Sequence, residues 1–490
     1  MSRYTYDLSS SANKTADPST LRGHALAVAL LAAGALFMEN LDATIIATGL
    51  PTMARDFGTS VLQVNIGITA YLLTLAIFIP LSGWVATRFG ERRVFLSAIL
   101  IFTTASALCG LSHTLPLFTT ARVLQGIGGS MMVPVGRLMV LRASTKAQLM
   151  KAIAYTIWPA LVAPILGPPL GGWILSFASW PWMFLLNVPI GMVLFVLGWK
   201  LVPKDGEPEP ESFDLGGFLL AGSASFCLMA LLETLQAEHL MRGRVIALLL
   251  ASVALGIAMI RWMQRVEKPL FSLDVFRIET FHVSNGAGSL FRMAVFSVPF
   301  LLPLLFQEAF GLDPLASGSL TMAVFAGNLA MKPLTGPLLR RYGFRTVLIW
   351  NGVLTVVALV ACGWLRLDTP KIITFAVLFA GGLGRSMQLT ALTTMGFADL
   401  PEELKNSGTT LATTINQMTT SLGVAVSALA LHGSALLRGH SSAFDFRVAF
   451  CVMAGLAALS IPSYIRMHPR AGAAVSGNLL RQEEATPAEG

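Results

Sequence analysis

Stretches of about twenty consecutive apolar residues, the length of helix that crosses a ~30 Å hydrocarbon core, recur along nearly all of this 490-residue chain. With that length as a ruler, spans fall at 25–50, 61–82, 94–111, 116–141, 152–175, 183–202 and 214–233. Seven more fall at 244–262, 281–306, 315–335, 346–365, 371–394, 407–432 and 446–466. Fourteen is the expected number and twelve the competing one. Backbone polar groups in hydrocarbon must be satisfied within their own segment, so these spans read as helices. The composition agrees, with 54% apolar and 12% charged residues, against about 25% charged in a soluble domain. Mean hydropathy is +0.68. A surface in water cannot be built from so few charges, which excludes a cytosolic enzyme, a disordered scaffold and a nucleic-acid-binding domain. The expected class is an all-α polytopic membrane protein.

Charge placement orients the spans. The net charge is +8. With the N-terminus inside, and residues at span ends counted with the adjoining segment, 22 Lys and Arg fall on cytoplasmic segments, 7 on external loops and 5 within spans. Cytoplasmic loops carry such an excess, so both termini are expected in the cytoplasm, with tails at 1–24 and 467–490. The first apolar run is too long for a signal-peptide core and lacks a short basic lead. Cys109, Cys227, Cys362 and Cys451 fall singly inside apolar runs and read as small core side chains. No HExxH, Walker A or GxGxxG pattern occurs, so no metal or cofactor is expected.

An internal repeat divides the chain. Gly83-Trp-Val-Ala-Thr-Arg-Phe-Gly-Glu-Arg92 has a looser copy, Gly336-Pro-Leu-Leu-Arg-Arg-Tyr-Gly-Phe-Arg345, 253 residues later. That spacing allows about 32 residues for each of eight intervening spans, a sensible helix plus loop. Two homologous six-helix halves, 25–202 and 281–466, with a linker and two inserted helices at 203–280, would produce it. The Pro- and Glu-rich segment from Lys200 to Phe213 is the clearest linker. Repeated membrane halves around a central site are a transporter pattern.

Four stretches stand out within the first half. The loop Gly83–Arg93 holds Gly83, Arg88, Gly90 and Arg92, glycines for a tight turn and arginines for helix ends or an inside anchor. In Leu41–Pro51, Asp42 lies three residues after Glu39, so the two share a helical face, roughly 20–26 Å from the inner end at 1.5 Å per residue. Carboxylates at that depth are costly and usually face a cavity; the bland alternative is an anchor near the external interface. In Arg122–Gly128, a buried Arg122 needs an acceptor, and Gln125 and Gly126 share its face; it is either a functional cation or a structural hydrogen-bond hub. In Gly167-Pro168-Pro169-Leu170-Gly171-Gly172, small residues let helices approach and proline bends the axis.

Together these stretches resemble the major facilitator superfamily, and within it the fourteen-span drug:proton antiporters of Gram-negative bacteria, over about residues 25–466. The resemblance implies the major facilitator fold, two six-helix halves with two extra central helices. It implies proton coupling through Asp42, Glu39 and Arg122, a cytoplasmic latch at Gly83–Arg93, and an antiport direction marked by Gly167–Gly172. Thr87 stands where the family has Asp, which weakens the expected latch. Ala154 and Ala163 replace two glycines of the extended span-five pattern.

Arg292, Lys332 and Arg385 are cations inside second-half spans. They either snorkel to an interface, the reading suited to Lys332 and Arg385 near span ends, or line a pocket opposite Glu39 and Asp42. Asn416, Gln417, Asn187 and Trp158 are further pocket candidates. The expected activity is proton-coupled efflux of amphipathic drugs or toxic compounds across the inner membrane by alternating access. Export of one defined metabolite and a non-transporting receptor on the same scaffold are the alternatives. Expected partners are the lipid bilayer, protons and small amphipathic substrates, with a monomeric chain and no nucleic acid. No feature of the sequence supports a periplasmic adaptor.

Overall fold

The computed structural model describes residues 23–144, 148–202, 213–235, 242–266, 269–438 and 442–472. The N-terminal tail, most of the 200–213 linker and the end of the C-terminal tail lie outside the described residues. Among the described residues every regular element is helical, and thirteen helices are long and apolar enough to cross a membrane. One of them, Pro314–Gly363, has 50 residues, about 75 Å at 1.5 Å per residue, far more than one bilayer crossing. It breaks at Gly343, which sits at φ 72°, ψ 167°. Split there, the described residues give fourteen long segments, the number expected from the apolar runs.

The first half comprises α1 (Gly23–Asp56), α2 (Ile66–Phe89), α3 (Glu91–Gly110), α4 (Leu115–Ala143), α5 (Leu149–Phe177) and α6 (Asn187–Leu201). Two further helices follow, α7 (Leu215–Thr234) and α8 (Arg242–Met263). The rest are α9 (Ala287–Leu304), α10 (314–342), α11 (344–363), α12 (Lys371–Gly396), α13 (Glu402–Arg438) and α14 (Ala443–Arg466). Backbone bonding closed within each helix is what allows interior prolines such as Pro51, Pro80 and Pro134: each removes one donor, and packed neighbours hold the helix together.

The internal repeat is structural as well as sequential. Gly90, at φ 92°, ψ 138°, ends α2 and starts α3; Gly343, 253 residues later, does the same between α10 and α11. Both backbones lie where only glycine is comfortable. Arg92 then hooks the Trp199 carbonyl at the end of α6 at 2.5 Å, and its repeat mate Arg345 hooks the Ile465 carbonyl at the end of α14 at 2.7 Å. Both place a cation on a helix C-terminus, where the backbone dipole is negative. Gly90→Ala and Gly343→Ala are each expected to lower unfolding free energy by about 1–3 kcal/mol. Denaturation of the purified variants in detergent measures this, and an unchanged midpoint would show the turns to be unstrained.

Within the first half α1 packs on α4, α5 and α6; within the second, α9 packs on α13 and α14, and α12 packs on the α10–α11 pair. The halves meet along two seams, α2 on α13 and α5 on α10, which the 253-residue repeat makes equivalent. Phe78 of α2 stacks edge-on to Phe218 of α7 at 5.7 Å, and Met229 of α7 packs with Leu73 of α2 and Ala425 of α13. The α7–α8 pair thus leans on the α2–α13 seam. α8 lies outermost, its principal neighbour being α7, with none of its apolar window buried inside the protein.

Asp214 fastens that pair from outside the spans. Its carboxylate accepts from Gly217 N at 2.8 Å, Trp262 Nε1 at 2.9 Å and Leu270 N at 2.9 Å. Partial burial pushes its pKa up, but the hydrogen bonds from Gly217, Trp262 and Leu270 outweigh this and hold it below the usual 3.8. A carboxyl depressed in the folded state contributes stability above its unfolded pKa and loses it as pH falls through the folded one. Trp262 fluorescence is therefore expected to change on acidification below about pH 4, and Asp214→Asn should remove that transition. A transition that persists in the variant would assign it to another group.

Candidate functional site

Apolar helix runs in the first half are interrupted by a few polar side chains, and packing gathers them into one buried cluster. Asp42 on α1 is 1% exposed and Arg122 on α4 is fully buried. Arg122 Nη1 donates to Asp42 Oδ2 at 2.6 Å and to Gln125 Oε1 at 2.6 Å, and its Nε donates to the Gly67 carbonyl at 3.2 Å. The other carboxylate oxygen, Asp42 Oδ1, accepts from Gln125 Nε2 and Asn187 Nδ2, both at 2.9 Å. Ser106 on α3 accepts from Asn187 at 2.9 Å and donates to the Phe184 carbonyl at 3.0 Å. The guanidinium lies 4.2 Å from the centre of the Tyr71 ring, a cation–π contact that is strong where water is excluded. Side chains or carbonyls from α1, α2, α3, α4 and α6 meet here, so any change in charge at Asp42 is felt by five helices.

Glu39 stands one turn away on the same face and differs in its surroundings. It is only half-buried, yet its Oε2 is enclosed and has no hydrogen-bond partner, as is the Tyr71 hydroxyl. Both flank Gly129: a Cβ there would lie 3.3 Å from Tyr71 Oη and 3.7 Å from Glu39 Oε2. Asp42 is saturated with donors; Glu39 is not.

The glycines of the remaining stretches have distinct jobs. A Cβ on Gly126 would meet Thr74 at 2.7 Å, so that glycine lets α4 close on α2. Gly167 and Gly171 abut Thr44 and Ile45 of α1, while Gly172 abuts the backbone at Pro314 and Leu315, across the seam on α10. Gly318 of α10 reciprocates by abutting the Pro168 carbonyl. Gln307 adds a bond to the Thr48 carbonyl at 3.0 Å, and Ser421 of α13 bonds the Thr69 carbonyl at 3.4 Å. These cross-seam contacts involve the ends of α1, α2, α5 and α10 opposite the Gly90 and Gly343 turns. The halves are shut there.

Residues 32–423 and 286–481 match the Major Facilitator Superfamily. The chain belongs to the major facilitator superfamily. Relatives that bear the provisional name multidrug resistance protein MdtD agree with this placement. One from Escherichia coli O6:H1 is 35% identical over 396 residues, 81% of this chain and 84% of its own. One from Serratia proteamaculans is 34% identical over 442 residues, 88% and 91% respectively. Among solved structures, a bacterial homolog of the human lysosomal transporter Spinster, inward-facing and unoccupied, superposes with TM-score 0.66 over 94% of this chain and 99% of that one, at 12% identity. That last likeness concerns the fold alone. The chain is a multi-pass membrane protein of a transporter family, not an enzyme.

On the major facilitator scaffold the expectations for individual residues divide. Asn187, expected in a substrate pocket, lies instead in the Asp42 cluster, because the short 182–185 turn delivers the start of α6 against α3. Gly83 makes no turn: it sits inside α2 with open space where a Cβ would be, and the turn falls at Gly90. Thr87 donates back to the Gly83 carbonyl at 2.7 Å, while Arg88 is exposed. Glu91 pairs with Arg142 at 2.7 Å, so Glu91 and Arg92 both have partners within the first half. Trp158 is 58% exposed on α5, and Asn416 and Gln417 are half-buried on α13. Arg385 does not snorkel; it is 7% exposed in the middle of α12. Arg292 is 4% exposed and donates to the Ser284 carbonyl at 2.7 Å. Half-buried Lys332 donates to Thr390 Oγ1 at 3.1 Å. Sequence reasoning missed Ser106, Tyr71 and Gln307; single neutral polar residues in apolar helices carry no signal unless a charge nearby demands partners.

Proposed function

We propose that this chain is a proton-driven exporter of amphipathic compounds that works by alternating access in the inner membrane, with both termini cytoplasmic. The observation that carries the reading is the pair of carboxyls on one face of α1, one saturated by Arg122, Gln125 and Asn187, the other with an enclosed oxygen lacking a donor. A charge in that position is costly unless it is paired or neutralised. A proton on Glu39 neutralises it; Asp42 and Arg137 are the charged groups whose fields reach it. Because Asp42 and Glu39 are three residues apart, protonation of one alters the field on the other and on the Arg122 cluster, which ties five helices. In this cycle a proton from outside displaces the substrate, the halves rock about the α2–α13 and α5–α10 seams, and the proton leaves to the cytoplasm. The gradient supplies about 2.3 kcal/mol per charge per 100 mV. The excess of Lys and Arg on alternate loops supports the orientation, and the relatives' drug-resistance names support the substrate class.

Purified protein in vesicles with an imposed pH gradient tests the reading. Dye counterflow that collapses with an uncoupler is expected, and chemically unrelated compounds should compete with the dye. Flux indifferent to the gradient would sink proton coupling; no flux at all would leave a receptor on this scaffold.

A further inference from the structure

The interior charge of the two halves is not the same. The first-half spans carry Glu39 and Asp42 against the buried Arg122 and the exposed Arg137, which balance in number. The second-half spans carry Arg292, Lys332 and Arg385, while the carboxylates of that half lie at helix ends or in loops. None of the three cations makes an ion pair among the described residues. Arg385 is the extreme case. It is 93% buried, its Nε and Nη1 have no hydrogen-bond partner among the described residues, and the rings of Phe296 at 4.8 Å and Phe325 at 5.6 Å face its charge. A cavity of about 20 Å³, lined by Val295, Val298, Val324, Thr355 and Leu359, opens against it. That is room for a single oxygen-sized group. Lys332, half-buried on α10 and bonded to Thr390 of the same helix α12 that carries Arg385, presents a second donor. Arg292 lies one turn before Phe296 on α9.

Resting on the exporter reading above, we propose that the transported amphipath carries an oxyanion, a carboxylate or its like, which the second half receives on Lys332 and Arg385 while Glu39 of the first half serves the proton. Interior cations without counter-charge are costly in a membrane helix; Arg292 and Lys332 each have a neutral acceptor, in the Ser284 carbonyl and Thr390, whereas Arg385 keeps Nε and Nη1 without one. Arginine's planar fork suits an oxyanion, and the bond is strongest where water is excluded. A cationic drug would find the reverse: repulsion from three fixed charges of its own sign.

The test uses the full-length chain in nanodiscs and three probes with one ring system: 2-naphthoate, its neutral amide and 2-naphthyltrimethylammonium. Naphthoate is expected to bind at least tenfold more tightly than the other two. Arg385→Gln should weaken naphthoate by tenfold or more, Lys332→Gln by several-fold, and Arg385→Lys should recover part of the loss. Arg385→Met should also raise the thermal midpoint of the ligand-free protein, because it removes an unpaired buried charge; a purely structural arginine would lower it. Equal or tighter binding of the ammonium probe overturns the proposal, as does naphthoate affinity unchanged in Arg385→Gln. Uncoupler-sensitive transport of a neutral dye by the same full-length chain in sealed vesicles separates the two readings: transport with no naphthoate preference removes the oxyanion site and leaves the exporter, whereas loss of both removes the exporter.

Discussion

Asp42→Asn is expected to abolish gradient-driven efflux while the protein still reaches the membrane in normal amount. The substitution keeps shape but not chemistry. All three side-chain partners of Asp42 donate, Arg122 to Oδ2 and Gln125 and Asn187 to Oδ1, so an amide NH2 at either position meets a donor head-on. Arg122 is also left buried without its counter-charge, and breaking a buried pair from one side costs about 3–5 kcal/mol. The double variant Asp42→Asn with Arg122→Gln removes both charges and should recover much of that stability, since neutral replacement of a buried pair is often tolerated, yet efflux should stay absent. A double-mutant cycle read by detergent unfolding and vesicle transport separates the two effects. Full transport by the single variant would discard the role given to Asp42.

The second large effect is expected at the seam. Gly172 and Gly318 each sit against the other half's backbone, with no room for a side chain. Gly172→Val or Gly318→Val forces those backbones apart, and overpacking costs about 1–3 kcal/mol, enough to move a two-state equilibrium roughly five- to 150-fold toward the conformation open at that end. Transport should fall sharply because one state is disfavoured, although neither residue touches a charge. Spin labels on Thr59 and Asp368, both in exposed loops at that end, should report a longer distance in either variant. An unchanged distance distribution in a variant that has lost transport would locate the defect elsewhere.

The sequence announced the fold because the bilayer leaves so few options: span length, loop charge and the 253-residue repeat all follow from hydrocarbon thickness and backbone bonding. Asp42 and Arg122 were legible for the same reason, being charges in runs that otherwise have none, and each needs the other. Asn187 was legible as a polar residue but not as Asp42's partner, since only the turn before α6 brings it across. Gly83 and Gly90 look alike in a motif; backbone angles separate them. Arg385 looked able to reach an interface by its place in the span, but the packing of Phe296 and Phe325 over it holds it inside, a matter of neighbours from two other helices.

The α7–α8 pair makes the two otherwise equivalent seams unequal. Through Phe218 and Met229 it lies along the α2–α13 line, whereas among the described residues no inserted helix packs on the α5–α10 line. A greasy solute diffusing sideways within one leaflet therefore finds one flank shuttered and the other bare. If the exporter proposed above loads from the lipid phase, the flank left uncovered by the inserted pair is the one where Gly172 and Gly318 touch.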